Sequence, residues 1–172
     1  MAKAKAKTTA KTTAKSTAKS TAPKPATPAQ QLESFIARFE PAVAKVARDA
    51  VARLRKRLPG ASVLVYDNYN ALAIAFSCSE APADIVLSIA VYPRHASLFL
   101  MGGPALDDPD GLLEGGGTRV RHLKLLEGAR MLDRPAVRAL LTQALALAKR
   151  PMPRGKGALV IRSVSKTQRP RR

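Results

Sequence analysis

The stretch "DIVLSIAVYPRHASLFLM", Asp84–Met101, holds two apolar runs separated by a short turn-forming segment. The first, Asp84–Tyr92, is nearly all apolar, as a strand in the middle of a sheet should be. The second, Leu98–Met101, follows the tight "PRHAS" turn. A parallel return needs a crossover of about a dozen residues or more, and none fits here. The runs are therefore expected to pair as an antiparallel hairpin.

The same reasoning extends outward. Ser62–Tyr66 and Ala71–Phe76 read as strands bracketing the polar segment "DNYN", and Thr118–Leu125 reads as another. "GALVIRSV", residues 157–164, reads as a last short strand. Helical spacing flanks these strands. Leu32, Phe35, Ile36 and Phe39 begin an apolar stripe, which Val43, Val46, Ala47, Ala50, Val51 and Leu54 continue. Pro41 between them either opens a second helix or kinks a continuous one. "LPG" at 58–60 stops the pattern. A C-terminal helix carries Val137, Leu140, Leu141, Ala144, Leu145 and Ala148 on one face, with Asp133 as the expected N-cap. The expected fold is α+β: an antiparallel sheet of about five to six strands packed against an N-terminal and a C-terminal helix, with disordered basic tails. The expected organisation is a tail over 1–29, a domain over 30–165 and a second tail over 166–172.

Charge divides along the same lines. The chain of 172 residues carries a formal net charge of +18. Residues 1–30 hold seven lysines and no acid, and residues 149–172 hold nine Lys plus Arg and no acid. The residues between hold fourteen basic side chains against all twelve acids, a balance of +2. The N-terminal part repeats with a period of four, Lys-Thr-Thr-Ala twice and then Lys-Ser-Thr-Ala twice, over 7–22. Like charges and poor helix formers leave it nothing to bury, so 1–27 is expected to be disordered. Such a tail neutralises phosphates without reading bases. Lys3, Lys5, Lys7, Lys11, Lys15, Lys19, Lys24, Arg169, Arg171 and Arg172 are the expected contacts to nucleic acid or another polyanion. No membrane association is expected, and the expected location is the bacterial cytoplasm, with nucleoid association as the finer expectation.

Several motifs, in order, carry a resemblance: "LPGASVLVYDNYNALAIAFS", "ADIVLSIAVYPRHASLFLMGG", "LDDPDGLLEGGGTRVRHLKL" and "LDRPAVRALLTQAL". Together they resemble the YdhG-like family of uncharacterised bacterial domains, over about 31–165. The resemblance implies a helix–sheet–helix fold. It also implies one functional alternative, since some relatives are described as frataxin-like iron chaperones. Against that alternative, the first helix sets Glu33, Glu40 and Asp49 among Arg38, Lys45, Arg48, Arg53, Arg55, Lys56 and Arg57, a balance that repels cations.

Chemistry-bearing residues gather in the strand motifs. Tyr66, Tyr69 and Tyr92 are the chain's three tyrosines, and His95 and His122 its two histidines. Tyr66, Asp67, Tyr69, Tyr92, Arg94, Arg121 and His122 form a candidate set for a small anionic or planar ligand. The competing reading makes Asp67, Asn68 and Asn70 a turn closed by side-chain hydrogen bonds. Asp107, Asp108, Asp110 and Glu114 lack the calcium-loop spacing, and the histidines and single Cys78 lack zinc-site spacing. No nucleophile elbow, phosphate loop or dinucleotide fingerprint is present. The expectation is a non-enzymatic protein with no catalytic residue, no metal and no cofactor. Three readings remain: polyanion binding through the tails, an iron chaperone, and a small-ligand or enzymatic protein using the Tyr/His/Arg set.

Overall fold

The structure is a computed structural model, and it describes residues 25–172. Among the described residues three α-helices and six strands form an α+β fold with a mixed sheet. Helix α1, Pro28–Ile36, starts earlier than the apolar stripe alone suggests. Thr27 caps it: its hydroxyl accepts from Gln30 N at 3.3 Å, while Gln30 Oε1 accepts from Thr27 N at 2.8 Å. These reciprocal bonds satisfy two donors that a bare helix start would leave open. Pro41 opens a separate helix, α2, Pro41–Arg57, so the long stripe is two helices and not one bent helix.

Strands β1 (Ser62–Asp67), β2 (Leu72–Ser77), β3 (Ile85–Val91), β4 (Ala96–Met101) and β5 (Val120–Lys124) run as an antiparallel meander. Helix α3, Pro135–Ala146, follows, and β6, Leu159–Val164, closes the sheet in the order β5-β4-β3-β2-β1-β6. β6 pairs parallel to β1, which corrects the all-antiparallel expectation. The physical reason lies in the connection. The meander leaves the outer edge of β1 unpaired, and the chain returns to it only after α3 and a long link. That is the kind of connection a parallel pairing requires. Two glycines let the link approach closely. A Cβ at Gly60 would stand 1.6 Å from Pro153 O, and one at Gly157 1.9 Å from Ala61 O, both immovable backbone atoms.

One face of the sheet is the core. Val65, Ile74, Ile89, Leu98 and Leu123 share a register row across five strands and pack with Leu54, Leu132 and Leu140 in one apolar cluster. Asp133 does not cap α3. It ends a short 3-10 turn, Ala129–Asp133, and its carboxylate pairs with Arg53 and Arg57 of α2. The lysine repeat and its expected disorder lie outside the described residues. The second tail does not lie free as expected: residues 166–172 fold back on the domain, and Arg171 is 5% exposed.

Candidate functional site

Adjacent strand residues point to opposite faces, and this alternation splits the candidate set. Tyr66 lies on the face away from the core, in a register row with Ala73, Ala90, Ser97 and Lys124. Asp67, one residue on, lies on the core side and is 1% exposed. There it is an acceptor and not a turn cap. Arg38 Nη1 donates to Asp67 Oδ2 and Arg171 Nη2 to Oδ1, each at 2.9 Å, and Gln168 Nε2 donates to Oδ2. Arg171 Nη2 also donates to Asn68 O at 2.5 Å, and its guanidinium lies 5.2 Å from the Phe39 ring centroid.

The turn itself closes through backbone: Asn68 N donates to Ala71 O at 3.1 Å. Tyr69, 54% exposed, contributes its carbonyl, which accepts from Arg169 N at 3.0 Å. Arg172 continues the docking, donating from Nη2 to Ala37 O at 3.1 Å and from Nε to Arg38 O at 3.2 Å. Of the expected nucleic-acid contacts, Arg171 is therefore corrected. Its charge is buried against Asp67 and cannot reach a phosphate. Arg169 and Arg172 keep exposed side chains. The seven lysines of 3–24 lie outside the described residues.

The rings collect on the open face. Phe99 and His122 stack at 4.9 Å between centroids, and Tyr92 stacks on His95 at 5.0 Å beside the β3–β4 turn. Lys124 Nζ donates to Glu114 Oε2 at 2.7 Å, and that bond holds the Glu114 carboxyl below its usual range. Tyr66, Tyr92 and His122 thus share a face, while Asp67 does not. Arg121 turns back to the backbone carbonyls of Gly117 and Val120, and Arg94 stands exposed in the turn. The set does not assemble as one pocket. His95, one of the chain's five tyrosine and histidine rings, is placed by the structure against Tyr92 across the β3–β4 turn.

Burial, followed by the charges of Lys124 and His122, holds His95 below the ordinary imidazole range, while Glu114 opposes them. The unfolded chain therefore takes up this proton first as pH falls. The stability tied to neutral His95 is present above about pH 6.5, the unfolded value, and is lost as pH drops through the lower folded value. We predict a melting temperature that declines between pH 7 and pH 5 and declines less in His95→Asn. Equal slopes for the two proteins would contradict the assignment. Cys78 is no candidate nucleophile: burial, aided by Asp84, pushes its thiol up and keeps it protonated at neutral pH.

The charge map supplies the remaining feature. From Arg134 to Arg172 the chain contains no acid. Arg154, Lys156, Arg162, Lys166, Arg169 and Arg172 are exposed there and enter no ion pair among the described residues. Arg162 lies on the edge strand β6, Arg154 and Lys156 precede it, and Lys166, Arg169 and Arg172 follow it on the segment that folds back to the β1–β2 turn and the end of α1; α1 itself packs on β6. α1 is also the helix that immediately follows the lysine-bearing residues. In the Gly-rich loop the Asp108 carboxylate is engaged locally, accepting from Leu112 N at 3.0 Å and Leu113 N at 2.8 Å. Among the described residues no helix is long and apolar enough to cross a membrane. No family model, curated protein or solved structure matches the chain.

Proposed function

We propose that this chain is a non-enzymatic nucleic-acid-binding protein that grips phosphates and does not read bases. The observation that carries the reading is the basic C-terminal segment: six exposed cations outside any ion pair among the described residues over 154–172, on and on either side of the strand that packs against the helix following seven lysines. Fixed cations on an ordered segment lose less conformational freedom on binding than the same charges on a free tail. Cations of this kind release counterions from a polyanion and draw it in at long range. Among the described residues the six cations lie outside any helix, and the sequence carries no helix-turn-helix or zinc-finger pattern, so sequence preference is not part of the reading. Membership of the YdhG-like family belongs to the same proposal, supported by the order of the motifs and by the helix–sheet–helix arrangement.

The test is fluorescence anisotropy of the intact protein with labelled duplexes of equal length and unrelated sequence, at low salt. Affinities should agree within about threefold, because phosphate contacts carry no sequence information. Discrimination of about a hundredfold between duplexes, or no binding to any of them, would overturn the reading.

A further inference from the structure

A cleft of about 310 Å³ opens at the end of the sheet opposite the β3–β4 turn, between the start of β3, the end of β4 and the C-terminal end of α3. That volume lies at the lower bound of small-molecule sites, roughly 300–1,000 Å³. Its walls include Val86, Met101, Ala144 and Leu147. Leu147 is 52% exposed, an apolar side chain left beside an apolar cleft. Gly102, at φ 72°, keeps the wall open, since a Cβ there would come within 3.1 Å of Leu147 Cδ1. Gly102 N donates to Arg119 O at 2.8 Å and so ties the residue bearing one basic side chain to the cleft wall.

The polar groups set the charge. Asp84, whose side chain is 9% exposed, accepts from Ser79 Oγ at 2.6 Å and pairs with Arg150 Nε at 3.4 Å. Its charge is answered within the protein. Arg119 and Lys149 also line the cleft, are exposed, and enter no ion pair among the described residues. The cleft therefore joins an apolar wall to two uncompensated cations.

We propose that this cleft binds a small amphipathic anion: an apolar body the size of an eight-carbon chain or a fused aromatic ring, bearing one carboxylate or sulfonate. The apolar body lies along Met101, Ala144 and Leu147, and the anionic head meets Arg119 and Lys149. Such a ligand gains both the burial and the charge-assisted hydrogen bonds that the cleft leaves unused. The inference does not rest on the nucleic-acid reading, because neither cation belongs to the 154–172 segment.

The test uses the intact protein and three probes: octanoate, 1-octanol and 1-anilinonaphthalene-8-sulfonate. Octanoate should bind at least about tenfold more tightly than octanol, the equivalent of about 1.4 kcal/mol. It should displace the fluorescent sulfonate and shift the backbone amide signals of Gly102 and Arg119. The double variant Arg119→Glu, Lys149→Glu should lose that tenfold preference while keeping the native melting temperature, since both side chains are exposed. Equal binding of octanoate and octanol by the unaltered protein would overturn the proposal, and so would amide shifts confined to the 154–172 segment.

Discussion

Asp67→Ala should cost about 3–5 kcal/mol of folding stability, the loss expected when one partner of a buried ion pair is removed. Total stabilities of domains run to roughly 5–15 kcal/mol, so this single change should bring the protein near its unfolding threshold. The reason is local. Arg38, Gln168 and Arg171 all donate to the Asp67 carboxylate. Without it, Arg171 keeps a charge that is 95% buried by relative exposure, with Nε and Nη1 already lacking partners. The chain after β6 should then detach, and limited proteolysis should cut beyond Val164. Urea denaturation gives the magnitude. Replacing both partners with apolar residues, Asp67→Leu with Arg171→Met, should recover much of the loss, because the buried charge disappears with its acceptor. A loss below about 1 kcal/mol for Asp67→Ala would show that the pair does not hold the C-terminal segment.

The second large effect concerns salt. If about five phosphates are neutralised, log affinity for duplex DNA should fall against log salt with a slope of ~−4.5. Raising salt from about 50 to 200 mM should then weaken binding roughly 500-fold. The exposed, unpaired cations of 154–172 and the lysines of 1–24 are the residues expected to set that slope. A slope near zero would mean that binding, if any, depends on buried apolar or hydrogen-bonded contacts instead.

What the sequence disclosed follows from the range of the interactions. The meander was legible, because short intervals between apolar runs, as in Asp84–Met101, leave no choice but antiparallel pairing. The helix stripes were legible for the same local reason. The parallel docking of β6 was not, since it depends on which sheet edge the chain meets after α3. Nor was the partnership of Asp67 with Arg171, 104 residues away. Strand alternation separates Tyr66 from Asp67 only because β1 runs one residue beyond its expected end at Tyr66, which takes Asp67 out of the turn and turns it to the core side. Asp133 illustrates the opposite trap. It sits where an N-cap belongs, but Arg53 and Arg57 from α2 hold its carboxylate in a tertiary contact.

The docking of 166–172 also revises how the account should be tested. The basic C-terminal segment cannot be removed as an appendage, because Gln168 and Arg171 satisfy Asp67 and β6 completes the sheet. The lysine-bearing segment is expected to be removable, since residues 2–24 hold no large apolar side chain to contribute to a core. The most direct measurement is the salt slope of duplex binding for the full chain beside a chain beginning at Pro25. The account predicts a steep slope for the full chain and a shallower one, still clearly negative, for the shortened chain, whose 154–172 segment remains. Identical slopes, or a shortened chain with no affinity at low salt, would contradict the claim that the lysine repeat and the ordered basic segment act together on one polyanion.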